Sequence, residues 1–427
     1  MKLASIEGPL EIGLDYKRFV PAAKMDQANP PILNPQSPHN IGDWFVTKVS
    51  DRLLDYDEIL TIKPTAGQKE WDILNAECDA LVLKGGNYIQ PSWLTKTFGL
   101  EMFKKIRIPI IPFGVGLQSG LRQNLNFEQE EIAILKLIHD GCAFSSLRGE
   151  RTAEALETIG ISNTLVTGCP TLFWSRNREL KVRPPRNDRA AFSFRQGLYS
   201  SESKIYESQF DAIRIIRERF GETSVFLQGE EVLMQHYLQA QKWGAEFKAT
   251  FAPVEGTSMR RLTRKPLSPD EIAEVLHSRL DRFASPQLIQ WIIDNAFFSY
   301  DIGEYLQQYR QMGMVIGCRL HSNLLALSQG VPAFFLIYDE RTREIAELFD
   351  FPRCDLSEFD ESVDPLSADF SAAEKNYALR FDEFRKFFEA NGLHHRLGEG
   401  SADGPVGEEG AHSDLGGTSG GSGKQTP

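Results

Sequence analysis

The stretch Met314-Val315-Ile316-Gly317-Cys318-Arg319-Leu320-His321-Ser322-Asn323 decides the fold of the region around it. Its first half is apolar on both faces, as a strand inside a parallel sheet must be. We predict a short amphipathic helix from Asn323 to Gln329, ended by Gly330, and a second buried strand from Val331 to Tyr338. The segment therefore predicts a βαβ unit, the building block of a parallel α/β sheet.

Arg319 and His321 lie two residues apart in the strand-to-helix turn of this unit. Open α/β sheets bind ligands at the carboxyl edge of their strands, and a helix N-terminus adds free N–H groups there. A fixed cation beside a titratable base suits a small anion that must also exchange a proton. The alternative is a packed histidine and a salt-bridged arginine with no role in binding.

The first 170 residues alternate between short apolar runs and helical patterns, and their loops carry glycine, which is typical of a parallel α/β domain. Residues 1–30 have no clear period, and we expect an arm with short extended pieces. The predicted strands are 59–62, 80–83, 108–113, 143–147 and 165–167, and the predicted helices are 44–54, 128–139 and 151–159.

A second α/β pattern follows the polar, proline-containing stretch 175–189, which we interpret as a linker. Its predicted strands include 190–194 and 224–228, with helices at 208–220 and after the N-cap signatures at Ser268 and Asp301. The expected organisation is an N-terminal domain over 1–175, a C-terminal domain over 190–365, a Phe-rich helix within 370–397 and a disordered tail over 398–427. The predicted fold is thus α/β, with two Rossmann-like parallel-sheet domains.

Composition narrows the function classes. A chain of 427 residues is too long for one compact domain. Its net charge of −12 argues against a general nucleic-acid role. The five cysteines are scattered without a CxxC pair, as in a reducing compartment. No apolar run is long enough for a membrane span and the N-terminus lacks a signal-peptide core, so we expect a cytoplasmic protein.

Two more arginines follow predicted strands. Arg195 lies just past the first strand of the second domain, and with Arg319 it could converge on a phosphate and a carboxylate. The alternative for Arg195 is a surface arginine in a turn. Arg148 follows the short strand 143–147 and is a better candidate for a cleft than Arg151, which a solvated helix face explains.

Three polar, glycine-containing segments complete the predicted cleft wall. They are Asn40-Ile41-Gly42-Asp43 before a helix, and the predicted loops Gly85-Gly86-Asn87 and Gly114-Val115-Gly116 at strand ends. Ordinary tight turns explain each alone, and helix capping explains Asp43. No metal-ligand spacing occurs, so no metal or cofactor is predicted.

At these residues the chain resembles the polysaccharide pyruvyltransferase family. Two departures from the family pattern are Cys169, where the family usually has an aspartate, and Arg341, where it often has lysine. The matching segments, in the expected order, are 40–43, 84–87, 112–116, 147–152, 167–170, 317–321, and 330–332 through 338–341.

The resemblance implies a fold like that of GT-B glycosyltransferases, with the active site in the cleft. It implies transfer of the carbon skeleton of phosphoenolpyruvate, the donor substrate, to two hydroxyls of a sugar, giving a pyruvate ketal. Because that donor carries a phosphate and a carboxylate, we expect Arg319 and Arg195 to hold it, with help from Arg341. His321 is expected to be the general acid at C3 or the base for a hydroxyl.

Other functions stay open at this point. A GT-B glycosyltransferase that uses a nucleotide sugar would share the architecture, and Cys169 keeps open a non-catalytic binding protein with a decayed site. The sequence does not specify the acceptor sugar or the ketal positions. It is compatible with a monomer or a homo-oligomer. A lipid-linked oligosaccharide acceptor would place the enzyme at the inner face of the membrane.

Overall fold

The chain folds into two β-sheets flanked by helices, as a computed structural model shows. The residues that the structure describes are 1–6, 19–22, 41–121, 125–195, 203–228, 274, 277–278, 280–299 and 301–399.

The first sheet collects strands from the N-terminal part of the chain. The strands are β1 (Lys2–Ile6), β2 (Val20–Pro21), β3 (Glu58–Ile62), β4 (Ala80–Ile89), β5 (Ile110–Leu117), β6 (Ser145–Leu147) and β7 (Thr164–Val166). Their order is β2-β3-β1-β4-β5-β6-β7, and every neighbouring pair is parallel except β2 with β3. The helices are α1 (Ile41–Leu53), α2 (Gln68–Glu77), α3 (Trp93–Thr97), α4 (Leu100–Phe103), α5 (Gln129–His139) and α6 (Glu150–Glu157).

The second sheet is parallel throughout its described strands. These are β8 (Arg189–Ser193), β9 (Glu222–Phe226), β10 (Ala296–Phe297), β11 (Met314–Gly317), β12 (Ala333–Ile337) and β13 (Arg353–Asp355), in the order β10-β9-β8-β11-β12-β13. The helices are α7 (Ser203–Arg219), α8 (Pro286–Asp294), α9 (Ile302–Gln311), α10 (Leu320–Ser328), α11 (Glu340–Phe349) and α12 (Ser371–Ala390). The prediction of two Rossmann-like α/β sheets is confirmed, and β11-α10-β12 is the predicted βαβ unit.

One hydrophobic core joins the two sheets, and α12 is part of the joint. This core contains Phe113 of β5 together with Val315 of β11. Three phenylalanines of α12 pack on Phe113, with ring centroids 5.2 to 5.8 Å away: Phe384, Phe387 and Phe388. The C-terminal helix therefore returns to the first sheet and ties it to the second through shared apolar burial.

Residues 1–30 contain the expected short extended pieces, β1 and β2, but β1 is an inner strand between β3 and β4 and not part of an arm. Leu3 and Ala4 are fully buried there. Lys2 and Ser5 interrupt the apolar run, so the sequence shows neither a continuous nor an alternating strand pattern.

The predicted loops Gly85-Gly86-Asn87 and Gly114-Val115-Gly116 are also wrong, because β4 and β5 continue through them. Gly86 still pairs with Val115, and the register shifts only between Gly86 and Ile89. The φ angles of Gly85 and Gly114 are +55° and +64°. Glycines with positive φ kink a strand without ending it, and this produces a bulged strand end in place of a loop.

Two helices begin earlier than predicted. Helix α10 starts at Leu320, three residues before the predicted Asn323, so His321 lies in its first turn and Arg319 is the N-cap residue. Helix α1 starts at Ile41, which places Asp43 inside the first turn where we had considered it as a cap.

Of the two predicted N-cap signatures, the one at Asp301 is confirmed, since its carboxylate accepts a hydrogen bond from Gly303 N at 2.7 Å. Ser268 lies outside the described residues. Of the predicted tail, residues 400–427 also lie outside them.

Candidate active site

The carboxyl edges of the two sheets meet at a cluster of arginines around His321. Arg319 follows β11 and Arg341 follows β12, while Arg148 follows β6 of the first sheet. All three guanidinium groups interact electrostatically with both His321 and Asp43. Residues from two sheets, predicted separately from the sequence, thus converge on one site.

Arg319 is a fixed, buried cation of this site. Its backbone N–H donates to Ser193 Oγ at 3.2 Å, and its Nε donates to the carbonyl of Phe194 at 3.3 Å. Burial lowers the pKa of the Arg319 guanidinium to about 9, so it stays protonated at neutral pH. A charge held this firmly is organised before any ligand arrives.

His321 lies in the first turn of α10 with only 4% of its surface exposed. Its Nε2 is buried and has no hydrogen-bond partner among the described residues. Burial, followed by the charges of Arg148, Arg341 and Arg319, lowers the pKa of His321 well below its usual 6.5. The imidazole is therefore neutral at pH 7 and able to accept a proton.

Arg341 is held by its neighbours at the start of α11. Its Nη2 donates to Tyr338 Oη at 2.8 Å and to Asp339 Oδ2 at 3.2 Å. Asp339 in turn caps α11, since its Oδ1 accepts from Thr342 N at 2.8 Å and Thr342 Oγ1 at 2.7 Å. Burial alone would lower the pKa of Arg341, but Asp339, Tyr338 and Asp43 raise it above its ordinary value.

Tyr338 connects Arg341 to Arg195. The Arg195 guanidinium lies 4.1 Å from the centre of the Tyr338 ring, in a cation–π contact. The Arg195 backbone is fixed by the side chain of Gln209, which accepts from its N–H at 2.7 Å and donates to its carbonyl at 2.5 Å. Sequence reasoning missed Tyr338 as a site residue, although an aromatic hydroxyl at the end of a buried strand is a usable signal.

The first sheet contributes Arg148 through its glycine-containing strands. Arg148 Nη1 donates to Asn87 Oδ1 at 2.6 Å, and its Nε donates to the carbonyl of Gly114 at 2.9 Å. Gly116 must be small, because a Cβ there would lie 2.9 Å from Arg148 Cδ. The glycines therefore let two strands approach a buried arginine closely.

Asp43 is the carboxylate that faces the arginines. It is half-buried, and burial raises its pKa, while Arg341, Arg148 and Arg319 oppose that change. Gly42 is buried beside it in α1, and Gly86 lies in β4 next to Asn87. Of the predicted site residues, Asn40 lies outside the described residues. The structure places the others at strand ends of the two sheets or in the first turns of α1, α10 and α11.

Glu344 joins the two sheets behind the arginines and was not predicted. Its carboxylate on α11 accepts from Thr152 N at 3.2 Å and from Thr152 Oγ1 at 3.0 Å, at the start of α6. Burial raises the pKa of Glu344 to about 7, against the hydrogen bonds from Thr152 and the charge of Arg148. Such a contact between distant segments leaves no local sequence signal.

Cys169 stands where the resembled family usually has an aspartate. It is fully buried in the core that joins the sheets, and its Sγ lies 3.6 Å from Thr171 Oγ1.

A pocket of about 640 Å³ opens beside Asp43 and Arg148 on the first-sheet side. Within the described part of the chain, no group of three His, Cys, Asp or Glu side chains has the arrangement to hold a metal ion. None of the helices described is both long and apolar enough to cross a membrane.

The family model described as polysaccharide pyruvyl transferase matches residues 17–340. No curated protein matches the chain.

Among solved structures, the chain is similar to the S. aureus MnaA–UDP co-structure, with 12% identity, 94% of each chain covered and a TM-score of 0.39. It is also similar to a putative UDP-N-acetylglucosamine 2-epimerase from Listeria monocytogenes, with 13% identity, coverage of 91% of this chain and 94% of that chain, and a TM-score of 0.40. A third is the UDP-GlcNAc 2-epimerase of Methanocaldococcus jannaschii in complex with UDP-GlcNAc and UDP, with 13% identity, coverage of 88% and 98%, and a TM-score of 0.39. Similarities this distant carry no argument on function.

Proposed function

Because this chain belongs to the polysaccharide pyruvyl transferase family, we propose that it transfers the pyruvyl group of phosphoenolpyruvate to two hydroxyls of a sugar. The sugar is part of a saccharide or polysaccharide precursor, and the products are a pyruvate ketal and inorganic phosphate. The observation that carries the proposal is a neutral, buried histidine enclosed by three arginines.

The charge arrangement supports a dianionic or trianionic donor. Arg319 and Arg341 are buried at helix starts, and Arg195 stacks on Tyr338 between the two strand ends. A phosphate and a carboxylate are each bound well by the planar guanidinium fork. Asp43 and Asp339 offset part of this positive charge, and a bound anion would offset the remainder and relieve the repulsion among the arginines.

The reaction needs one proton at C3 of the donor and the loss of two hydroxyl protons. His321 takes the proton of the first sugar hydroxyl as that oxygen bonds to C2, and it passes this proton to C3, which becomes the methyl group. Phosphate then leaves with its C–O bonding electrons. As the second hydroxyl bonds to C2 and closes the ketal, its proton passes to the departing phosphate.

His321 is neutral in the free site, which is the form that a base needs in the first step. Burial and then the charges of three arginines lower its pKa; a bound anionic donor would offset the arginine charges, and the pKa of His321 would then rise. A base whose proton affinity increases when substrate binds is able both to take a proton and to return it.

Thermal stability with and without millimolar phosphoenolpyruvate tests the donor, since a ligand that binds the folded state raises the unfolding midpoint. We expect a rise for the wild type that is lost in Arg319→Ala and kept in Arg186→Ala. Arg186 is a matched control because it is exposed and pairs only with the equally exposed Asp188 among the described carboxylates, at 3.3 Å. Phosphate release in the presence of candidate saccharides then identifies the acceptor.

A rise with a nucleotide sugar and none with phosphoenolpyruvate would refute the proposal. So would a rise with phosphoenolpyruvate that survives Arg319→Ala, because the donor would then bind away from the arginine cluster.

A further inference from the structure

The pocket beside the arginine cluster has room for more than a single sugar. Its volume of about 640 Å³ lies within the range of about 300–1,000 Å³ that is common for small-molecule sites. Asp43 and Arg148 line it, and the charge of Arg148 acts on His321. A molecule in this pocket would present one end to the reacting centre.

Part of the pocket wall is aromatic. Trp93 and Phe98 are half-buried and meet edge to face, with ring centroids 5.4 Å apart at 76°. Phe98 meets the buried Phe103 in the same manner, at 5.8 Å and 72°. These contacts fix the rings in place, and Leu83 and Leu94 extend the apolar surface beyond them.

Polar groups lie elsewhere on the lining. Asn87 is held by Arg148, and the side-chain amides of Gln90 and Gln118 also line the pocket. Neither of these two amides makes a hydrogen bond to another residue that the structure describes. Each offers both a donor and an acceptor to ligand hydroxyls.

We propose that this pocket binds the acceptor as a saccharide that carries an apolar group. The sugar lies at the Asp43–Arg148 end, and the apolar group lies on the Trp93–Phe98 wall. A second sugar on this wall could stack a C–H face on a ring, but any hydroxyl that it turned towards the apolar side chains would lose its hydrogen-bond partners, which is costly. An apolar group there gains from burial in proportion to its area. The inference rests on the proposed function.

Calorimetric titration with methyl and hexyl glycosides of glucose, galactose and mannose tests the inference, with and without phosphoenolpyruvate. For at least one sugar, we expect the hexyl glycoside to bind the wild type about tenfold or more tightly than the methyl glycoside, because methylene groups are buried. Trp93→Ala should remove this preference, and Trp93→Phe should retain most of it. The matched control is Trp291→Ala, a half-buried tryptophan that stacks on Arg217 at 4.1 Å, far along the chain.

Equal affinity for methyl and hexyl glycosides would overturn the inference, as would a hexyl preference that survives Trp93→Ala. Binding of hexanol as tight as that of the hexyl glycosides would show that no sugar is recognised, and binding of no glycoside under either condition would also count against it. The thermal shift with phosphoenolpyruvate separates the two proposals. If the shift is present and the hexyl preference absent, only the pocket inference fails; if the wild type shows no shift, the proposed function fails.

Discussion

The two sheets end differently at the cleft. In the second sheet, β8, β11 and β12 stop soon before an arginine, and two of them lead into a helix whose first turn points at the site. In the first sheet, β4 and β5 run on through glycines, and their ends supply backbone carbonyls and the wall of a pocket.

This difference suggests that the two sheet edges bind different parts of the substrates. Three of the four clustered arginines, Arg195, Arg319 and Arg341, follow strands of the second sheet, so that edge is organised for an anion. The first-sheet edge brings one arginine, Arg148, and a largely apolar pocket. Donor contacts are therefore expected on the second sheet and acceptor contacts on the first.

Replacing His321 by alanine should have the largest effect, because it removes the side chain at the second-sheet edge that transfers the proton of the sugar hydroxyl. We expect kcat for phosphate release to fall by about 10²- to 10⁴-fold. The thermal shift with phosphoenolpyruvate should persist, since the arginines remain. His394→Ala serves as the control at an exposed histidine. Near-normal turnover of His321→Ala would end the assignment of a proton-transfer role.

The structure of the second-sheet edge could be predicted from the sequence better than that of the first-sheet edge. An apolar strand, a turn with Arg319 and His321, and a short helix are all local features, and the structure contains each of them. What the sequence did not locate was the helix start. Ser322 and Asn323 are residue types favoured at an N-cap, which favoured a start later than the observed Leu320.

The first-sheet edge was misread for a physical reason. Glycine pairs at the end of an apolar run indicate a turn, because glycine alone adopts positive φ freely. In β4 and β5 the same conformations occur inside paired strands, as the pairings of Gly86 with Val115 and of Ile89 with Leu117 show. Tyr338 and Glu344 were missed because their roles come from partners far away in sequence, such as Thr152.

Gly114→Ala should distort the first-sheet edge. A Cβ at Gly114 would lie 2.3 Å from Pro170 Cδ, at a φ of +64°. We expect the free energy of unfolding to fall by about 2–4 kcal/mol, from strain and overpacking together. Urea denaturation measures it.

The chain offers a matched control at Gly392, which has the same φ of +64° and no atom within 4 Å of an added Cβ. Gly392→Ala should therefore show the backbone cost alone, about 1 kcal/mol. If Gly114→Ala and Gly392→Ala lower the free energy of unfolding equally, contact with Pro170 does not restrict this strand end. The close approach of β5 to Arg148 would then need another explanation.

Glu344→Gln probes the contact that holds the two edges together, and its effect should be the smallest. The folded-state pKa of Glu344 is about 7, raised mainly by burial from its ordinary 4.5. The folded state therefore binds this proton more tightly than the unfolded state does. The stability that this carboxyl contributes is fully present below about pH 4.5 and is lost as the pH rises through 7.

Between pH 5 and pH 8, the wild type should lose about 2 kcal/mol more unfolding free energy than Glu344→Gln, because the amide does not titrate and can still bond to Thr152. Urea denaturation at both pH values gives the difference, and Glu347→Gln, a more exposed carboxylate on the same helix, is the control. Parallel pH profiles for wild type and Glu344→Gln would mean that Glu344 is already ionised across this range. Glu344 would then be an ordinary ionised carboxylate that caps α6. Lowering the pH would not strengthen the contact that it makes between the two sheets.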